Sequence, residues 1–358
     1  MSKSPTIHDL AADLNISATT VWRALNDRDR VSAKTRDRVR ARAQAINYEP
    51  SLVAQNLSYG RTSTLGILVP RIGNPIFATM VEVVEQVAYE RGYCVILCNV
   101  SPNFLREATY TRMLYRRRVE GVVVVPFGQH TKDKRDWEGL LTELTQRSVP
   151  VVLLEQGLPS NHFPTVVVDN FGASYAMARH LIGLGHKSLA LVSSSSADQD
   201  AIWQERVNGF KQAVADFGLT ENSHLLLDAY EPVEGKAQMY RPEVIRQTFG
   251  KENRPTAAFV LSDTLAVRVM GTLREMGIEI PRDVAVAGFD NIELAAYTVP
   301  PLTTVKQPTE EMARRAAELL FDQIEAKAGE KKEPTCERIP CRLIIRESCG
   351  APQALRTS

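Results

Sequence analysis

Apolar positions near the start of the chain repeat with a helical period. Ile7, Leu10, Ala11 and Leu14 fall at i, i+3, i+4 and i+7, which gives one stripe on a short helix. Thr6 stands ahead of the stripe as an N-cap, and Asp9 lies in the first turn, where the helix dipole favours a negative charge. Asn15-Ile16 breaks the pattern, and Ser17 caps a second helix in which Val21 and Leu25 turn inward while Thr19, Thr20 and Arg23 turn outward. Small polar side chains with an arginine on such a face suit a DNA major groove. The same residues also suit an ordinary helical hairpin with a polar outer face. Ser32 caps a third helix with Val39, Ala43 and Ile46 inside, and Arg36, Arg38, Arg40 and Arg42 around it as candidate phosphate contacts. Pro50 ends this region, because the residue before a proline is steered away from helix. The stretch 51–62 is too short to be a stable helix alone and reads as a linker.

From Leu65 the texture changes. Short apolar runs at 65–69, 94–98, 121–126 and 150–155 alternate with helical stretches near 76–91, 104–118 and 136–147. The rhythm resumes with runs at 165–169, 188–192, 225–230, 257–261 and 284–290, separated by helices near 172–184, 203–217, 243–249 and 263–276. Continuous apolar strands each followed by an amphipathic helix predict parallel sheets covered on both faces. The strands are too many for one sheet, so two α/β subdomains are expected, with a break at the Gly-, Pro- and Ser-rich segment 156–164 and a second crossover near 290. Ligands bind beyond the carboxyl ends of such strands, so facing sheets predict a small-molecule cleft.

Composition and charge sharpen this picture. A chain of 358 residues exceeds one core, and its 44% hydrophobic and 24% charged residues are those of a globular protein. No apolar run reaches 18 residues and MSKSPTIHDL lacks the apolar core of a signal peptide, so a cytoplasmic location and no membrane partner are expected. The net charge of +1 is uneven: through Arg61 there are ten Lys/Arg against six Asp/Glu, net +4, and the remainder is net −3. A basic head on an acidic body binds a polyanion through the head. Five cysteines in no zinc spacing read as reduced thiols. No phosphate-binding glycine loop, nucleophile elbow or metal-binding histidine pair occurs in the sequence. Neither catalysis, a cofactor nor a metal is therefore expected.

The ordered segments TIxDLA (6–11), SxxTVxRALN (17–26), VSAKTR (31–36), NPIF (74–77), EGVVVVP (120–126) and VVDN (167–170) are followed by LIGLGHKSLALV (181–192), RVNGF (206–210), AAFVLSD (257–263), IPRDVAVAGFDN (280–291) and PPLTTVKQP (300–308). Together, from Thr6 to about Ser348, they resemble the LacI/GalR family of bacterial transcription regulators. The resemblance implies a multidomain chain. An all-α helix-turn-helix head at 1–50 and a hinge helix at 51–62 precede a periplasmic-binding-protein-like α/β core of two subdomains at 63–348 and a tail at 349–358. It implies DNA contacts from Thr6, Ser17, Ala18, Thr19, Arg23 and Asn26, with Ala54 and Leu57 of the hinge at the minor groove. It implies effector contacts from Phe77, Arg206, Tyr230, Ser262 and Asp290. Trp22 stands where the family has a small residue, Ser262 replaces a common Asn, and Glu155 lies where Asp is common. These departures leave the effector open among sugars, sugar derivatives and purine-like molecules. The expected partners are a double-stranded, palindromic DNA operator, a small effector and further copies of the chain, in a homodimer with a tetramer left open. The tail shows no leucine heptads of a coiled-coil tetramer. A stand-alone small-molecule binding protein of the periplasmic type is the alternative, and it predicts a signal peptide in place of the DNA head.

Overall fold

The computed structural model describes residues 5–27, 29–48, 61–100, 104–126, 137–158, 162–193, 201–219, 224–231, 239–326 and 333–355. The chain divides into two compact units, Met1–Thr62 and Ser63–Ser358.

The head contains α1 (Ile7–Leu14), α2 (Ala18–Leu25) and α3 (Ala33–Ala45), each started by the side chain the sequence places there. Thr6 and Asp9 form a reciprocal capping box, whereas Ser17 and Ser32 accept from the backbone N–H three residues on. Asn15 takes the left-handed conformation at φ +52° and turns the chain from α1 to α2. Leu10, Ala11, Leu14, Val21, Ala24, Val39 and Ala43 form the core, and Ile7, Leu25 and Ile46 pack at its margin. Leu25, expected inside, is only half-buried. Its neighbour Ala24 is fully buried in the core, and Leu25 packs at the margin.

In the core unit, sheet one contains β1 (Thr64–Val69), β2 (Cys94–Asn99), β3 (Gly121–Val124), β4 (Val151–Leu154), β5 (Thr165–Val168) and β13 (Cys336–Ile339), in spatial order β13-β5-β4-β3-β1-β2 and all parallel. Sheet two contains β6 (Leu189–Ser193), β7 (His224–Asp228), β10 (Ala257–Val260), β11 (Ala285–Asp290), β12 (Thr303–Lys306) and β14 (Arg342–Ile344), in order β14-β12-β11-β10-β6-β7. Only β14 runs antiparallel there. A small antiparallel pair, β8 (Tyr230–Glu231) and β9 (Met239–Tyr240), stands apart. The helices are α4 (Pro75–Glu90), α5 (Phe104–Arg116), α6 (Trp137–Gln146), α7 (Asn170–Gly183), α8 (Ala201–Asp216), α9 (Pro242–Phe249), α10 (Asp263–Glu275) and α11 (Thr309–Glu325). The central strands are buried along their whole length, as continuous Val/Leu/Ala runs require.

The sheets do not divide where the sequence suggests. The segment 156–164 joins β4 directly to β5, its neighbour in sheet one, so its Gly, Pro and Ser mark a loop within a sheet. The chain reaches sheet two only through α7. The return is not near 290 either: β12 still belongs to sheet two, and the crossing is Gln307-Pro308, which leads into α11 on sheet one. A third crossing lies between β13 and β14. Elements beyond 290 are masked in the sequence by threonines, yet Thr303 and Thr304 are fully buried strand residues. Among the described residues no helix is long and apolar enough to cross a membrane. All five cysteines are free thiols.

Candidate functional site

The two regions singled out by sequence lie in different units. In the head, Thr19 is exposed, Ala18 and Arg23 are half-exposed, and all three lie on α2. Among the described residues Arg23 has no hydrogen-bond or ion-pair partner, so its guanidinium is not committed to the fold. Thr6 and Ser17 act as caps, and the Asn26 amide donates to the Trp22 carbonyl at 2.8 Å to close α2. Trp22 is half-buried with its indole nitrogen shielded from solvent, so the indole packs into the head. The arginines of α3 are more engaged than their sequence suggests. Arg40 forms a fork to Asp27 with both contacts at 2.7 Å, Arg36 approaches the same carboxylate at 3.3 Å, Arg42 pairs with Asp13, and Arg38 donates to the Leu14 carbonyl. They hold α3 to the rest of the head, although exposed pairs of this kind contribute at most about 1 kcal/mol each and are exchangeable. Ala54 and Leu57 lie outside the described residues.

In the core unit the carboxyl ends of β5, β10 and β11 converge on Arg206 of α8. Its Nε donates to Asn170 Oδ1 at 2.8 Å, directly after β5, and Nη1 donates to the Leu261 carbonyl at 2.7 Å, directly after β10. Nη1 lies 3.9 Å from Asp290 Oδ1 at the end of β11, and the guanidinium lies over the Phe289 ring at 3.6 Å. Arg206 is 3% and Asp290 7% exposed. A buried charge is tolerable only when paired and hydrogen-bonded, and here both conditions hold.

A second carboxylate lies behind this pair. Asp263, the first residue of α10, accepts from Thr304 Oγ1 at 2.7 Å and from the Ile292 N–H at 3.0 Å. Gly288 makes room for it: a Cβ there would come within 2.2 Å of Asp263 Oδ1. Burial, followed by the charge of Asp290, raises the Asp263 carboxyl well above its ordinary range. Burial also pushes Asp290 up to about 6, against the opposing Arg206 charge and the Gln307 amide that donates to it at 2.8 Å. Asp290 has φ +122°, Asn291 +57° and Glu155 +71°, so non-glycine residues stand in left-handed backbone at the ends of β11 and β4, as others do elsewhere in the chain. Strain of this kind, about 1–3 kcal/mol per residue, concentrates at functional sites.

Arg206 and Asp290 are thus brought together, with Ser262 following the Leu261 carbonyl that Arg206 holds. Ser262 Oγ itself caps α10, accepting from Leu265 N–H at 3.4 Å. Phe77 lies in the first turn of α4, half-buried and packed against the hydrophobic core. The Tyr230 side chain lies outside the described residues. Sequence reasoning missed Asn170, Asp263, Gln307 and the buried Gln156. The first three stand inside VVDN, AAFVLSD and PPLTTVKQP, where the signal was available but not assigned a role.

A three-helix head and a two-sheet core are the parts of a DNA-binding transcription regulator, and the relatives of this chain place it in that class. Residues 6–51 match the bacterial regulatory proteins of the lacI family, and residues 178–349 match a periplasmic binding protein-like domain. The chain is 33% identical over 345 residues to an HTH-type transcriptional repressor, PurR, of Photobacterium profundum, covering 96% of this chain and 98% of that one. It is 29% identical to a LacI family transcriptional regulator from Enterococcus faecium crystallised with ribose, with a TM-score of 0.66 over 80% of this chain and 98% of that one. The lac repressor dimer bound to operator and an anti-inducer, at 23% identity, shares the fold over 98% of this chain and 100% of that one with a TM-score of 0.80. The chain belongs to the lacI family.

Proposed function

We propose that this regulator is a homodimeric repressor that binds a palindromic operator and is switched by a small effector, a sugar, sugar derivative or purine-like molecule, held at the carboxyl ends of the two sheets. The observation that carries the effector reading is the buried Arg206–Asp290 pair in strained backbone at that end of sheet two. An ion pair so placed costs desolvation and serves better as a ligand-recognition device than as a stabiliser. The match to a periplasmic binding protein-like domain and the sugar seen in one relative support it. For DNA, α2 offers Arg23 to a guanine edge, with Ala18 and Thr19 beside it for methyl contacts. Ala54 and Leu57 extend the same reading into the minor groove.

The dimer reading has its own support. Leu294, Tyr297 and Val299 are 51%, 72% and 74% exposed, and with Met270 and Gly271 of α10 they border a groove of about 580 Å³. Clustered exposed apolar side chains mark protein contact surfaces. A two-fold pair of heads requires a two-fold operator. Catalysis is not part of this reading. Selection of bound duplexes from a random pool tests the DNA side. Recovered sequences should share an inverted repeat and bind two chains per duplex, whereas recovery of unrelated sequences contradicts the reading.

A further inference from the structure

Two glutamines in the core unit are buried without the partners that buried amides require. Gln156 is 3% exposed, and among the described residues neither its Nε2 nor its Oε1 has a hydrogen-bond partner. Gln307 is also 3% exposed; its Nε2 donates to Asp290, and its Oε1 has no partner among the described residues. Buried polar groups are almost always paired, since an unpaired one forfeits its hydration with nothing in return. Gln307 touches Asp290 of the proposed ligand site, and its orphaned oxygen, with the two orphaned atoms of Gln156, points to a ligand.

The topology places both residues at one end of the core. Gln156 follows β4 at its carboxyl end, the end from which the chain also leaves β5 toward Asn170. The far half of α11 lies at the opposite end, where Leu320 and Ile324 abut Gly121 at the start of β3. The beginning of α11, with Gln307 just before it, therefore lies at the carboxyl end of sheet one. Gln307 bridges from there to Asp290 of sheet two.

Building on the effector reading above, we infer that Gln156 and Gln307 are specificity-determining residues, and that the ligand they read is a neutral molecule rich in hydrogen-bond donors. Two unpaired amide oxygens and the Asp290 carboxylate offer acceptors, against one unpaired amide nitrogen as donor. Hydroxyls or ring and amino N–H groups complement such a set. A phosphate or carboxylate placed there would meet oxygen lone pairs, with buried Glu155 next in the chain to Gln156.

Isothermal titration of the full chain with D-ribose, D-cellobiose, adenine and ribose 5-phosphate tests this and separates sugar from heterocycle. At least one neutral probe should bind the wild type more tightly than ribose 5-phosphate does. Gln156→Leu and Gln156→Met should weaken that probe tenfold or more while leaving the melting temperature of the free protein equal or higher, because an unpaired amide has been removed. A lower melting temperature in both variants with unchanged probe affinity would show a structural amide and overturn the inference. So would preferential binding of ribose 5-phosphate, or no binding of any neutral probe by a wild type that still binds its operator. A wild type that binds no specific DNA refutes the regulator reading instead.

Discussion

At the scale of single residues, the Arg206–Asp290 pair separates structural from functional roles through pH. Asp290 has its carboxyl raised to about 6 in the folded protein against 3.8 as its ordinary value. The folded state then holds a proton that the unfolded state has released, so the contribution is fully present below about pH 4 and is lost as pH rises through 6. A shift of this size corresponds to about 3 kcal/mol for one buried group. Urea unfolding from pH 4 to pH 7 should show that fall in the wild type and a flatter profile in Asp290→Asn. Effector binding should run the other way, tightening up to about pH 6 as the carboxylate becomes available as an acceptor. In the head, Arg23→Ala should cost roughly 1–3 kcal/mol of specific operator binding while sparing non-specific binding, as a gel-shift series with competitor DNA reads.

The head and the parallel core were legible at this scale because caps and apolar periodicity are local properties: Thr6, Ser17 and Ser32 start helices where the sequence puts them. The Asp263–Thr304 contact joins residues 41 apart, and no local pattern announces it. Gln156 was illegible for another reason. Its significance lies in partners it lacks, which only packing reveals. Arg206 and Asp290 were legible only through the family resemblance, since neither spacing nor composition distinguishes them from surface charges.

At the scale of elements, the close approach of α7 and α8 governs where Arg206 sits. A Cβ at Gly209 would lie 2.2 Å from the Phe171 carbonyl oxygen, a backbone atom that cannot move aside cheaply. Ser174 Oγ donates to the Arg206 carbonyl at 2.6 Å across the same seam. Gly209→Ala should therefore push the helices apart and destabilise the core unit by about 1–3 kcal/mol in urea unfolding. It should also weaken effector binding, because Arg206 stands less than one turn away. Crossovers were the least legible elements. The polar stretch 156–164 has the composition of a domain linker, yet it joins hydrogen-bonded neighbours. The true return at Gln307-Pro308 is two residues long and carries no compositional mark beyond its proline.

For the whole molecule, the account requires two copies, a two-fold DNA site and reciprocal coupling to a ligand. Tyr297→Asp should place a charge in the proposed contact surface and raise the dimer dissociation constant, which sedimentation velocity over a concentration series measures. The coupling itself is the central claim. Its most direct measurement is fluorescence anisotropy of the full chain titrated onto its selected palindromic duplex, with and without the neutral probe that binds it by calorimetry. The account predicts that saturating probe changes operator affinity by about 5- to 150-fold and that operator changes probe affinity by the same factor. Identical operator isotherms with and without bound probe would contradict it.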